Sequence, residues 1–274
     1  MPDNCHLCEY TTRPMGTYRI VVLGSGTSHG VPMIGCQCPV CTSSDPRDKR
    51  TRTSAVLQTA GHSFLIDTTP ELRMQCLACN ITRVDAVLYT HSHADHVAGL
   101  DDLRRFNALQ KTAIPCYGNA HTLHDLHRMF SYAFKDMPDY PSAKPHLDTI
   151  EVDGPFELLG VRVVPIPLFH GKLPVLGFRI GSFAYCTDCS CIPEESMALL
   201  QGLQVLILDG LRRRPHPTHF NLEQAVEAAR QIGAGQTFFT HIAHELGHEA
   251  TNAELPAGMA LAHDGQVIEI KDEG

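Results

Sequence analysis

The chain has 274 residues, 43% hydrophobic and 19% charged, which allows one large domain with a substantial core and excludes a disordered or fibrous class. Its formal net charge of −8 sets the whole-molecule field against nucleic acid and anionic membrane surfaces. Any phosphate-bearing substrate must therefore be held by local positive charge, from arginines, lysines or bound metal ions.

The first residues, MPDNCHLCEYTTRPMG, carry no apolar stretch after a basic start, and the longest apolar run, around VLILD, is too short to span a bilayer. Eleven cysteines are an odd number, and their short-spaced groups suit metal binding better than a disulfide framework. The expectation is a reducing, cytoplasmic protein. Residues 1–17, with Cys5 and Cys8, are expected to be an N-terminal extension to a single domain over 18–274.

In chain order, YRIVVLGSG reads as a strand stopped by glycines, and TSAVLQTAGHSFLID as two strands joined across TAGH. GSGTSHG fits no phosphate-loop string and is taken as a tight backbone turn. Cys76 and Cys79, at helical spacing in ELRMQCLACN, are taken as core. DAVLYT is a buried strand, followed by helical patterns at GLDDLRRFNALQ and AHTLHDLHRMFSYAF. The proline-rich stretch Lys135 to Asp148 reads as a surface loop or lid. VRVVPIPLFH, FRIGSFAYCTD, LQVLILDG, QTFFTH and QVIEI are further strands, with a helix at PEESMALLQGL. The clearest helix is NLEQAVEAARQIG, with Leu222, Ala225, Val226 and Ala229 on one face and Gly233 as its cap. More strands than helices, mixing hairpins and crossovers, predict packed sheets covered by helices.

THSHADH places His91, His93, Asp95 and His96 directly after a strand, donors that suit Zn, Mn or Fe. Four such side chains on one tight turn point in different directions, so two neighbouring ions fit better than one. The further donors required occur at similar strand ends: His170, Asp188 and His241, with Asp188 able to bridge through its two oxygens. A second group, Cys36, Cys38 and Cys41 in GCQCPVC, brings three thiolates within reach of one zinc. His244, three residues beyond His241, is the candidate fourth ligand.

With HSHADH at 91–96 followed by His, Asp and His from later strands, the chain resembles the metallo-β-lactamase superfamily from about Tyr18 to Ile270. The resemblance implies an α/β (α+β) fold, an αββα sandwich of two mixed β-sheets flanked by helices, with the metals at one edge. It assigns His91, His93 and His170 to one ion, and Asp95, His96 and His241 to the other, with Asp188 bridging. GSGTSHGVPMIGCQCPVC and THIAH are similar to the PhnP-type phosphodiesterases of the carbon–phosphorus lyase pathway, which implies a structural zinc on Cys36, Cys38, Cys41 and His244. PTHFNLE is similar too, and implies that His219 assists phosphoester cleavage.

Two ions about 3.5–4 Å apart can share a water, acidify it and clamp the attacking and leaving oxygens. The expected function is thus a metal-dependent hydrolase cleaving a small phosphodiester, linear or cyclic, by a hydroxide bridging two divalent ions, Mn or Zn. Asp95 and Asp188 act at the metals and His219 as the acid, with His216 a weaker competitor. Asp67, ending SFLID, either orients a ligand histidine or forms a turn. Arg104, Arg105 and the triplet Arg212, Arg213 and Arg214 are candidates for phosphate or a solvated charge run. His121, His124 and His127 fit a solvated helix face as readily as a metal patch. Cys186, Cys189 and Cys191 show no clear ligand spacing. The alternatives are a thioester or lactam hydrolase on the same fold and a non-catalytic metal-binding sensor module. Neither a membrane nor a stable nucleic-acid partner is expected, and a homodimer is left open.

Overall fold

The computed structural model describes residues 17–135 and 143–271. Cys5, Cys8 and most of the proposed extension lie outside the described residues, as do residues 136–142 of the proline-rich stretch. The described strands form two seven-stranded sheets. The first holds β1 (Thr17–Gly24), β2 (Ser54–Thr59), β3 (His62–Ile66), β4 (Ala86–Leu88), β5 (Ile114–Gly118), β6 (Leu147–Glu151) and β14 (Val267–Lys271), in the order β14-β1-β2-β3-β4-β5-β6. The second is β13 (Met259–Leu261), β12 (Gln236–Thr240), β11 (Val205–Asp209), β10 (Phe183–Cys186), β9 (Leu173–Ile180), β8 (Val161–His170) and β7 (Phe156–Leu158), in that spatial order. Leu147 and Asp148 therefore belong to β6 and not to the surface loop expected through Asp148; Leu147 is buried.

Both sheets are covered on both faces, which explains why the strands read as unbroken apolar runs. Along β1, Ile20 and Val22 enter the core between the sheets, while Val21 and Leu23 face the outer helices. Along β11, Val205 and Ile207 face the other sheet and Leu206 and Leu208 the opposite helical layer. That is the period-two alternation of a strand with two apolar environments. The first sheet is covered by α1 (Leu72–Ala78), α3 (Leu103–Gln110), and α4 (Ala120–Met129) with α5 (Ser131–Phe134). A one-turn α2 (Ala94–Val97) lies within the histidine loop. The second sheet is covered by α6 (Glu194–Leu199) and α7 (Leu222–Ile232). A short α8 (His248–Asn252) follows β12. The expected αββα sandwich of mixed sheets is what the chain forms.

Local signals behave as their chemistry demands. Ala60 and Gly61 both take positive φ, 48° and 81°, and close the two-residue turn between β2 and β3. In α7, Asn221 caps the helix and forms a capping box with Gln224, and Gly233 ends it in the left-handed region. Val226, expected on the buried face, is only half-buried, and Ile232 takes its place at the end of the stripe. Cys76 packs in the core under α1 with Cys79 at its margin, and Cys186 and Cys189 are core of the second sheet.

The two sheets meet at the site's edge through Gly26, which bridges to both Arg52 and Ile242, next to His241. A Cβ on Gly26 would stand 2.7 Å from the carbonyl oxygen of Arg50. The glycine of the GSGTSHG turn therefore serves close backbone approach.

Candidate active site

Six polar side chains stand at or just beyond strand ends. Asp67 follows β3, His91 lies three residues beyond β4, His170 ends β8, Asp188 follows β10, Asp209 ends β11 and His241 follows β12. β3 and β4 run parallel, as do β10, β11 and β12, so their carboxyl ends line one rim of the sandwich. Asp67, Asp188 and His241 hold positive φ, at 62°, 51° and 58°. Such backbone is uncommon for non-glycine residues and clusters where a site dictates side-chain direction.

Their donor atoms converge. His91, His93, His170 and Asp188 form one group with ligand atoms within 4.8 Å of one another, and Asp95, His96 and His241 form a second. Asp188 belongs to both sides. Its Oδ1 lies 3.3 Å from His96 Nε2, and its Oδ2 lies 3.4 Å from His241 Nε2 and 3.8 Å from His91 Nε2. Asp95 Oδ2 stands 3.4 Å from His96 Nε2 and 3.5 Å from His241 Nε2. All seven expected active-site ligands are thus brought together.

The opposite ring nitrogens are fixed by neighbours. His96 Nδ1 lies 2.7 Å from Asp67 Oδ2, and Asp67 also accepts the Thr90 N–H and hydroxyl, each at 2.8 Å. Asp67 therefore orients His96, the geometry that one of its two sequence readings called for. His91 Nδ1 meets the Thr90 hydroxyl at 3.0 Å, and His170 Nδ1 donates to the Thr218 carbonyl at 2.7 Å. Ser92, between the first two histidines, donates to Asp125 of α4 at 2.7 Å and ties the loop to that helix.

The residues fit a cation on their own evidence. The Nε2 atoms of His91 and His96 are buried with no hydrogen-bond partner, a costly condition unless something else satisfies them. Burial opposes a charge on His96, yet Asp188, Asp95 and Asp67 hold its imidazole well above the ordinary range. His91 goes the other way: burial and His96 hold it well below. Burial likewise lowers His170 to about 4. His91 and His170 are thus neutral donors beside the carboxylates, and a divalent Zn, Mn or Fe among those carboxylates would take the place of the proton that they otherwise hold on His96.

The second group is equally compact. Cys36, Cys38 and Cys41 place their Sγ atoms 3.2, 3.4 and 3.6 Å from His244 Nδ1, and all three thiols are free. Backbone N–H groups of Met33 and Cys41 donate to the sulfurs of Cys41 and Cys38. The bond from Cys41 N–H brings Cys38 down to about 6, whereas burial lifts Cys41 to about 11. Three sulfurs and one imidazole nitrogen at such range suit a tetrahedral zinc.

His219 adjoins the first cluster. Its ring stacks on His241 with centroids 4.6 Å apart, and its Nε2 lies 3.9 Å from Asp188 Oδ2. Its Nδ1 is held at 3.0 Å by Asp209 Oδ2, which also accepts the Phe220 and Cys189 N–H groups. Burial opposes the charge, but Asp209 and Asp188 prevail and raise His219 to about 9. Asp209 is the residue that sequence reasoning missed. Its signal was present: an acid closing the apolar run VLILD, the place Asp67 takes in SFLID.

The remaining candidates separate. Arg213 pairs with Glu254, Arg214 with Glu245, and Arg104 with Asp101, while no carboxylate among the described residues pairs with Arg212. His216 is half-buried, its ring 5.0 Å from that of His219. His121 reaches Asp125, and His127 donates to or accepts from Thr149. With His124 exposed beside them, they are a solvated helix face, and among the described residues they join no metal-binding group.

Seven imidazole and carboxylate donors on the rim of an αββα sandwich define a metallo-hydrolase class. The Beta-lactamase superfamily domain matches residues 62–242, well over half of the chain. A solved structure described as a new diphosphatase from the PhnP family superposes with a TM-score of 0.87 at 46% identity, covering 93% of this chain and 98% of that one. The chain belongs to the metallo-β-lactamase superfamily and, within it, to the PhnP-like hydrolases. An octanoyltransferase of Porphyromonas gingivalis is 40% identical over 261 residues, 93% of this chain but 52% of the relative. This chain thus spans about half of that relative's length. The Zn-bound PqqB of Methylobacterium extorquens, 21% identical, covers 92% of the chain and 100% of its own with a TM-score of 0.77, and shares the fold.

Proposed function

We propose that the chain is a metal-dependent phosphodiesterase acting on small diesters, cyclic ones included. The observation that carries this reading is the buried Asp209–His219 pair set against the Asp188 side of the donor cluster. His91, His93 and His170 would hold one divalent cation, Asp95, His96 and His241 the other, and Asp188 both. Bound there, the cations supply charge for the phosphoryl oxygens and acidify a water.

The chain's own groups do the rest. Asp209 fixes the Nδ1–H of His219 and turns Nε2 toward the cluster, so Nε2 is the atom that protonates the departing oxygen. Burial of His91, His96, Asp188 and His241 keeps bulk water out and strengthens every charge interaction. An alkoxide leaving from phosphorus needs that proton. A thiolate, with a parent pKa of roughly 8.5, leaves without one, so a dedicated acid favours phosphorus over a thioester. His219 also groups with Asp188 and His241 at ligand range, and metal content separates the two roles.

A second reading, cleavage of a diphosphate, is favoured by the 46% identical relative described as a diphosphatase. Metal-loaded protein assayed on bis(p-nitrophenyl) phosphate, a cyclic nucleotide, a nucleoside diphosphate and an acyl thioester tests both. Diester turnover lost in Asp188→Ala is the expected result. Preference for the diphosphate selects the second reading, thioester turnover alone overturns both, and inactivity on all four supports a sensor module.

A further inference from the structure

A cavity of about 240 Å³ opens beside His219. One wall is the turn from Thr27 to Gly30 and Met33; the other carries Arg212, His216 and Glu245. His244, the imidazole of the cysteine group, also reaches this wall. Two of the arginines in the RRR run have their charge answered, Arg213 by Glu254 at 2.7 Å and Arg214 by Glu245 at 2.6 Å. Arg212 differs. It is half-buried, donates from Nε and Nη2 to the carbonyls of Arg214 and Pro215 at 3.3 and 3.0 Å, and has no carboxylate within ion-pair distance among the described residues. Carbonyls orient a guanidinium without neutralising it. Glu245 on the same wall feels Arg212 but accepts its hydrogen bonds from Arg214, so two guanidiniums share one carboxylate and the wall keeps a net positive charge on a chain whose net charge is −8, where a planar fork can grip a phosphate in two places.

We propose that Arg212 is the specificity-determining residue of this site, and that it binds a second phosphate of the substrate, away from the phosphorus under attack. The inference rests on the phosphohydrolase reading and narrows it to substrates with two phosphates. Two sources share that chemistry: the neighbouring phosphate of a diphosphate, and a phosphate carried by the alcohol of a diester. In this geometry Arg212 reads the far group, His219 serves the departing oxygen, and one residue selects what the other helps to cleave.

The test uses metal-loaded wild-type protein, Arg212→Ala, Arg212→Lys and, as a control outside the cavity, Arg213→Ala. The probes are thymidine 5′-(p-nitrophenyl phosphate), the same diester carrying a 3′-phosphate, and ADP. Wild type is expected to favour one of the two doubly phosphorylated probes over the plain diester. Arg212→Ala should lower that preference in kcat/KM at least tenfold, through KM, with Arg212→Lys between them and Arg213→Ala like wild type. Which probe is preferred identifies the source. Absence of any preference, or its survival in Arg212→Ala, overturns the proposal. Calorimetric binding of ADP and AMP, with metal content checked after titration, keeps this apart from the phosphohydrolase reading. If no probe is cleaved that reading fails, while tighter binding of ADP that disappears in Arg212→Ala still supports Arg212, and equal binding of the two nucleotides refutes it.

Discussion

His219 and Asp209 show how much one hydrogen bond can decide. Left alone in water, an imidazole is half neutral near pH 6.5, whereas the buried carboxylates of Asp209 and Asp188 lift this one to about 9. Replacing Asp209 with Asn keeps the shape and removes the charge. Turnover of an alkyl diester, whose departing alkoxide needs that proton, is expected to fall by about 10² to 10⁴, the usual range for a positioned acid, with metal content unchanged; steady-state kinetics beside elemental analysis checks this. His219→Ala should behave alike, and loss of a metal equivalent there would make it a ligand instead. Asp67→Asn acts on the other side, loosening His96. Metal affinity should weaken by about 10- to 100-fold, read by competition with a chromophoric chelator. Four of the seven candidate ligands were legible because HSHADH is a dense string. Asp209 was not, because a single acid at a strand's end announces nothing until the fold sets it beside a histidine ten positions on.

At the scale of elements, the sequence disclosed those whose two faces meet different apolar layers. β1, β8 and β11 are rich in β-branched and apolar residues, and α7 carries its cap signals at both ends. Short or edge strands were harder. β5 contains Pro115, Tyr117 and Gly118, and β7 and β13 span three residues each, too few for periodicity to declare. The cysteine loop is held by its sulfurs, and the segment that brings His244 to them is held by Arg50, whose buried guanidinium donates to the carbonyls of Ala243 and Leu246 at 3.2 and 2.7 Å. Cys38→Ser should therefore lose one zinc equivalent and several degrees of thermal stability while the chemistry per folded molecule changes little. Beside it, α8 places His248 in a buried site where burial, Arg47, His263 and Arg50 hold its imidazole down to about 4. Above about pH 6.5 both folded and unfolded chains carry it neutral. As pH falls from there toward 4, only the unfolded chain takes up the proton, so stability drains away. His248→Gln should flatten the decline of Tm between pH 7 and 5; a variant with the wild-type slope would assign that decline elsewhere.

For the whole molecule, the sandwich gathers donors separated by up to 150 positions, from His91 to His241, onto one rim by running β3, β4, β10, β11 and β12 parallel at their ends. No sequence spacing encodes that rim; it follows from topology. Among the described residues no helix is long and apolar enough to cross a membrane. The account stands on paired divalent ions within one donor set and a separate zinc beneath the cysteines. The most direct measurement is elemental analysis of the purified, metal-loaded chain together with Asp188→Ala and Cys38→Ser. Wild type should hold about three ions per chain; Asp188→Ala should lose active-site metal and all turnover but keep the cysteine-bound zinc, and Cys38→Ser should lose that zinc alone. Full activity in Asp188→Ala, or a wild type active with a single ion, would contradict the account.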